Sequence, residues 1–498
     1  MVTTPAPIAA KAPPLRTGRA IAVLLVSAFV VVLNETAMGV SIPEVMADFD
    51  VSAASAQWLT TAFMLTMAVV IPVTGVLLQR HSLRRNFFTA MGLFALGTAI
   101  AASASVFEVL LAARIVQALG TAVMLPLLFT TVMQLVAPER RGGTMGLVTI
   151  VTAAAPALGP TAAGAIVSSL GWRWVFIIVL PIAAIAIVAG ALWLRNVTPT
   201  GAARFDPLSV LLSAVGFSGL IYGLAGIGEQ HAPDGGLASW IPIALGVIAL
   251  LGLVLRQLAL RDTDRVLLDV RVFAGRLFTM STSTIVIVSI SLFGSLILLP
   301  LYIQQVLGEP AYVAGLMLLP GGVISSVLAP FVGLAYDKVG PRTLVFPGAV
   351  LVTAAMVAFS TLGTQTPVGL VIAMHVVLSI GAAMMMTPLM TTALGAVTAK
   401  LYPHASAIVN TLQQVSGAAG TALFVTLFTL AATASGSSSP LAALAQGVDT
   451  AFGVGAALSA AGIVLSLFLR KPRVVGAADA RPSGTGGEMV MQGDDSQP

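Results

Sequence analysis

The chain has 498 residues, 57% of them hydrophobic and only 9% charged, with a mean hydropathy of +1.00; a soluble domain carries about 25% charged residues, so water is not its solvent. The formal charge of +5 comes from basic residues spread over short connecting stretches, which excludes a soluble basic domain that would bind nucleic acid. Without cysteine there are no disulfides, thiolate nucleophiles or Cys-ligated metals, and the four histidines, His81, His231, His375 and His404, stand apart in no metal-ligand spacing.

Taken in order, apolar runs bounded by charges, Gly/Pro or polar clusters predict fourteen helices. They lie at about 20–40, 57–78, 87–104, 109–133, 143–168, 174–194, 207–227, 239–258, 278–306, 312–334, 343–362, 368–392, 405–429 and 447–469. The runs are continuously apolar, whereas a transmembrane β-barrel would need alternation. The first follows Lys11, Arg16 and Arg19 as a signal peptide would, but it is too long for an h-region and no clear small-residue cleavage site follows, so it counts as a span.

Lys and Arg in short loops stay cytoplasmic. With the N-terminus inside, alternation puts all of the 24 basic residues except Arg114 and Arg173 on the cytoplasmic side, and Glu44, Asp48, Asp50, Glu229, Asp234 and Glu309 outside. One helix more or fewer would spoil this segregation. The fold class expected is an all-α polytopic membrane protein with fourteen spans and both termini cytoplasmic.

Gly75 to Arg85 after the second helix and Gly333 to Arg342 after the tenth are both a helix-terminal Gly running into a short basic turn, at matching places. Such an internal repeat is the usual build of secondary transporters. The division expected is a cytoplasmic tail over 1–19, a six-helix bundle over 20–195, two inserted helices over 196–260, a cytoplasmic linker over 261–276, a second six-helix bundle over 277–470 and a disordered tail over 471–498. In the inserted pair, Gly219 and Gly223 form a small-residue packing pattern, and the pair is expected on the outside of the core.

These motifs resemble the major facilitator superfamily, in particular its fourteen-helix drug:proton antiporters and, within them, the lincomycin-type and multidrug exporters of bacteria. The resemblance covers the chain apart from its tails. Gly75, Leu77, Arg80, Arg84 and Arg85 resemble the superfamily's loop after the second helix, with Gln79 in place of its acid and Ser82 in place of its second Gly, while Asp337 keeps the acid in the later copy, where Arg342 follows. Leu111 to Gly120, with Arg114 in it, is similar to the intramembrane arginine motif, and Ala155 to Gly164 to the antiporter motif that the resemblance associates with export. Gly171-Trp172-Arg173-Trp174-Val175-Phe176 and Asn410-Thr411-Leu412-Gln413-Gln414 also match this branch. Many relatives carry Leu-Asp-x-Thr in the first helix, where this chain reads Leu33-Asn34-Glu35-Thr36, moving the acid one position, or about 100° around a helix.

Glu35 reads as the one acid in a helix interior. Burying charge there is costly, so it is a candidate for carrying a proton between the two sides. Arg114 is its basic counterpart, with Gln117 and Thr121 on the same face; it either responds to proton loss or ties helices together, and both readings stand. Pro156, Gly159, Pro160 and Gly164 bend a helix and permit close approach, which fits a gate or tight packing, and Gly75, Arg84, Asp337 and Arg342 are gating candidates at the loops. Asn34, Met38, Trp58, Met64, Asn410 and Gln414 are candidates for lining a substrate cavity, although polar residues equally join helices and most methionines simply pack. His375 reads as a hydrogen-bonded helix residue.

The function expected is export of small lipophilic drugs or antibiotic-like compounds against proton entry, by a monomer in the bacterial plasma membrane; an exporter of an endogenous lipid or metabolite is the alternative. No cofactor or metal is expected, the proton gradient supplying the energy, and the partners are substrate, protons and the bilayer. An enzyme would need clustered catalytic side chains, a channel rings of charges or carbonyls, and an ATP-driven pump a phosphate-binding loop.

Overall fold

Apolar runs of this length leave the backbone no partner but itself, and the chain forms helices throughout. The computed structural model describes residues 14–196, 204–228, 237–261, 263–435 and 439–472, and among them are fourteen long α-helices and no strand. They are α1 (Pro14–Phe49), α2 (Ala53–Arg80), α3 (Leu83–Ala102), α4 (Phe107–Leu135), α5 (Arg141–Leu170), α6 (Arg173–Trp193), α7 (Pro207–Gly228), α8 (Leu237–Leu260), α9 (Arg276–Gln305), α10 (Ala311–Val339), α11 (Arg342–Phe359), α12 (Val368–Gly395), α13 (Tyr402–Ala434) and α14 (Pro440–Ser466). Thirteen are long and apolar enough to cross a membrane. The exception is α3, whose first turn holds Arg84, Arg85 and Asn86. Lys11, Glu229, His231, Asp234, Arg473, Arg481 and most of the two tails lie outside the described residues.

Several helices outrun their apolar stretch. α1 continues through Pro43 to Phe49 and ends at Asp50, which adopts the left-handed φ of +52° that closes many helices. Glu44 and Asp48, expected in a loop, are therefore helix residues, and they hold the corner between α5 and α6. The Trp172 N–H donates to Glu44 Oε2 (3.0 Å), its indole Nε1 to Asp48 Oδ2 (3.1 Å), and Arg173 Nη1 to the same Asp48 oxygen (2.6 Å). Arg173, the outer basic residue, is thus an ion-pair partner. Likewise α14 begins at Pro440, capped by Ser439, so Asp449 stands exposed in its third turn and Glu35 is not the sole acid within a helix.

The packing repeats. Within α1–α6, α1 lies against α4, α5 and α6, α2 against α4, and α3 against α4 and α6. Within α9–α14, α9 lies against α12, α13 and α14, α10 against α12, and α11 against α12 and α14, which is the same pattern shifted by eight helices. The two groups meet along α5–α10 and α2–α13, where glycines let backbones touch: a methyl on Gly146 would come within 2.6 Å of the Ala329 carbonyl oxygen.

Of the remaining pair, α7 packs on α8 and on both α2 and α13. Gly219 supplies the close crossing expected of it, with Gly216 and Gly246: a methyl on Gly246 would sit 2.9 Å from the Gly216 oxygen. Asp206 caps α7 by accepting from Ser209 N–H (3.0 Å) and grips Arg256 of α8 through both carboxylate oxygens (2.5 and 2.8 Å). Gln257 Oε1 accepts from Leu267 and Leu268 N–H, so the connection into α9 is tucked against this pair.

Candidate functional site

The largest fully buried side chain among the described residues is that of Arg114 in α4. Its charge cannot be discharged in practice, so its surroundings must satisfy it. Nη1 donates to Gln117 Oε1 (2.9 Å) and Asn34 Oδ1 (3.3 Å), Nε lies 3.5 Å from the Leu59 carbonyl, and the guanidinium carbon stands 4.1 Å from the centre of the Phe63 ring. Gln117 is the hub, its Nε2 donating to Thr98 Oγ1 (2.8 Å) and Asn34 Oδ1 (3.2 Å). The network joins α1, α2, α3 and α4. It depends on Gly97 of α3, where a methyl would come within 2.7 Å of Gln117 Cγ. Arg114 Nη2 and Asn34 Nδ2 are buried donors without a partner, which makes the site one that seeks an acceptor: a carboxylate, a carbonyl or water.

Glu35 follows Asn34, about 100° around the helix. It is half-buried and within electrostatic reach of Arg114, yet among the described residues it makes no ion pair with it. Moving the acid by one position thus has a direct structural result: a neutral amide faces the arginine and the carboxyl stands beside the pair. The Asn34–Arg114 contact, Thr98 and the Phe63 ring were not named by the sequence reading; Gln117 and Thr121 were, from their spacing. Met38 is buried at 1% exposure in a cluster with Leu59, Ala113 and Trp172, so in this structure it presents no surface to a ligand.

All four antiporter-motif residues lie inside α5, which stays helical through Pro156 and Pro160. The glycines differ. A methyl on Gly159 would strike Thr36 Oγ1 of α1, whereas one on Gly164 would meet only Val40 Cγ1, at 3.8 Å. Thr36 sits one residue beyond Glu35 and also approaches the Ala155 carbonyl at 3.5 Å, so the α1–α5 crossing is fixed beside the candidate acid.

The basic turns all lie at one end of the bundle, and there the two groups are latched. Asp337 Oδ1 and Oδ2 accept from the backbone N–H groups of Gly142 and Gly143 at the start of α5, 2.8 Å each, and Lys471 Nζ donates to the Asp337 carbonyl (2.6 Å). A carboxylate at a helix N-terminus is favoured by the exposed amides and the helix dipole. At the matching place in α2, Gln79 Nε2 donates to the Lys400 carbonyl before α13 (3.0 Å). Gly75 belongs to this seam, because a methyl there would meet His404 Nδ1 at 2.9 Å. Arg84 does not cross it: its Nη1 donates to Leu194 at the end of α6 (2.9 Å). Arg342 is exposed at the start of α11.

The other cavity candidates are scattered. Trp58 stacks on Tyr222 of α7 with ring centres 6.2 Å apart, Met64 is 46% exposed, and Gln414 is half-buried. Asn410 is buried and spends its Nδ2 on Ser406 in its own helix (2.8 Å). His375, read as a hydrogen-bonded residue, is buried with Nδ1 unpartnered, and Gly321 of α10 lies against the opposite, Nε2 edge of the ring.

Fourteen long helices in two matching groups, with an arginine network buried in the first, define a multi-pass membrane transporter. The Major Facilitator Superfamily model matches residues 24–421, and the chain belongs to that family. It is similar to the lincomycin resistance protein LmrB of Listeria monocytogenes, 38% identical over 91% of this chain and 97% of that one. The LmrB of Bacillus subtilis is 36% identical over 91% of this chain and 95% of that one, and a multidrug resistance protein B homolog of Mycobacterium tuberculosis is 30% identical over 80% and 73%. The fold is also that of the human organic anion transporter MFSD10 (TETRAN), with a TM-score of 0.61 at 15% identity, covering 91% of this chain and all of that one. The chain is a transporter of the bacterial plasma membrane and not an enzyme.

Proposed function

We propose that the protein is a proton-coupled antiporter that exports lipophilic, drug-like or antibiotic-like compounds by alternating access. The observation that carries this is the buried Arg114–Asn34–Gln117 network with two unpartnered donors beside the carboxyl of Glu35. A proton on Glu35 removes the one negative charge that, among the described residues, stands near an arginine that cannot lose its own. Protonation therefore changes the local charge balance without any other group moving. Similarity to proteins named for lincomycin and multidrug resistance supports the substrate class and the outward direction.

In this account the six-helix groups rock about a site between them, α7 and α8 are an inserted pair, both termini are cytoplasmic and a monomer suffices. Asp337 and Gln79 hold the cytoplasmic side shut while substrate leaves outward. Purified protein in liposomes with an imposed pH gradient tests this, with ethidium and lincomycin as probes. Accumulation of either probe that collapses with the gradient is expected; transport indifferent to the gradient would overturn proton coupling.

A further inference from the structure

The repeat places a second ionisable group where the first half has its arginine. Arg114 is the eighth residue of α4 and His375 the eighth of α12; Gly120 and Gly381 are the fourteenth residues of the same helices. Both glycines press on the matching neighbour: a methyl on Gly120 would come within 2.7 Å of Phe94 N in α3, and one on Gly381 within 2.8 Å of the Gly348 oxygen in α11. The third helix agrees. Phe63, the eleventh residue of α2, covers the Arg114 guanidinium, and Gly321, the eleventh of α10, lies against His375, where a methyl would be 2.8 Å from Nε2.

His375 is 7% exposed and its Nδ1 is buried with no hydrogen-bond partner. An imidazole retained for packing would be expected to spend its nitrogens on backbone or hydroxyl groups, since an unmet buried polar atom is destabilising. Ser325 Oγ donates to the Ser379 carbonyl (3.1 Å), and the Ser379 hydroxyl lies with the ring's Nε2 edge beside Gly321, so Nδ1 is left unmet. α12 packs against α5, α9, α10, α11 and α13. Their titratable groups stand elsewhere. Arg141, Arg276, Tyr336, Asp337, Lys338, Arg342, Tyr402 and His404 are at the basic end; Tyr336 meets Thr392, seventeen residues from His375 along α12 and so about 25 Å away. Tyr302 and Tyr312 lie in the terminal turns at the opposite end, the former donating to the Gly363 carbonyl (2.6 Å).

We propose that His375 is a second proton-binding site, built at the position of Arg114 in the repeated half and loaded from the end opposite the basic turns. The proton binds Nδ1 or Nε2 of the neutral ring and leaves by the same route reversed, with no covalent chemistry. With no carboxylate near it among the described residues, the charged ring is tolerated only when the α10–α12 crossing loosens and admits water. Loading is thereby tied to a change in helix packing, as a coupling site requires. This inference rests on the proton-coupled reading above, which Glu35 carries independently.

Two measurements test it. With 15N-histidine the full-length protein in lipid nanodiscs shows four imidazoles, and variants of the other three assign His375. Its signal is expected to change from that of a neutral to that of a charged ring as the pH reaching the side opposite the basic turns is lowered. In liposomes, His375→Asn and His375→Gln are expected to keep pH-driven ethidium accumulation while the protons exchanged per ethidium fall by about one, since an imidazole binds a single proton. A His375 signal that stays that of a neutral ring, or a variant ratio equal to wild type, overturns the proposal. Wild-type protein that ignores the pH gradient overturns proton coupling itself, a distinct result.

Discussion

Asp337 accepts the backbone N–H of Gly142 at 2.8 Å and, through its other oxygen, that of the next residue, so one carboxylate of α10 closes the start of α5. Its counterpart in the first half is the amide of Gln79, which donates to the Lys400 carbonyl at 3.0 Å. The charged half of the latch is therefore in the second group of helices alone.

Asp337→Asn removes the charge at the helix N-terminus and leaves one acceptor for two amides. A hydrogen bond to a charged group is worth about 1.5–3 kcal/mol, so closure of the basic end is expected to weaken on the order of tenfold or more. The chain has no cysteine, so spin labels on one introduced cysteine in each of α5 and α10 report the change without background. The expected result is a longer-distance population in the variant; Gln79→Leu should give a smaller one.

The two antiporter-motif glycines should behave differently. Gly159→Ala sets a methyl against Thr36 Oγ1 and is expected to part α1 from α5, lowering both thermal stability and transport; overpacking typically costs about 1–3 kcal/mol. Gly164→Ala has only Val40 Cγ1 at 3.8 Å and should leave both near wild type. Equal losses for the two would mean that helix flexibility, not the crossing, is what the motif preserves.

Gln117→Leu keeps the volume but removes the group that accepts from Arg114 Nη1 and donates to Thr98 and Asn34. Leaving buried partners unmet costs about 1–3 kcal/mol, visible as a lower melting temperature. Transport should fall further than the lost folded fraction explains. Arg114→Lys should not substitute, because an ammonium cannot reach Gln117, Asn34 and Leu59 as a planar fork does.

The paired helices α7 and α8 offer a pH prediction. The Arg256 fork, together with Ser209, holds the Asp206 carboxyl well below the usual carboxylate range. A depressed value stabilises the folded form above the ordinary Asp range near 3.9 and loses that contribution only as pH falls through the lowered value. Hydrogen exchange at the start of α7 should therefore show the same protection at pH 5 as at pH 8, and Asp206→Asn should lower it at both.

Much of this was legible in the sequence. Apolar runs give the helix count because a bilayer leaves the backbone no alternative, and the sequence alone shows that the acid of the repeated loop is present at Asp337 and replaced at Gln79. The helix ends were not legible. Apolarity stops where the hydrocarbon does, while α1 continues as a polar helix that uses Glu44 and Asp48 to fix Trp172 and Arg173. Nor was the partner of Arg114, since Asn34 is eighty residues away and only the packing of α1 on α4 brings them together. Trp58 illustrates a third limit: a lipophilic aromatic on a helix can serve a ligand, lipid or another helix equally, and here it meets Tyr222.

The most direct test concerns Glu35. In liposomes loaded with ethidium or lincomycin, Glu35→Gln should abolish accumulation driven by a pH gradient while substrate counterflow without a gradient persists, because the path is intact and the proton that changes the charge beside Arg114 is gone. A Glu35→Gln protein that accumulates substrate against its gradient as the wild type does would contradict the account.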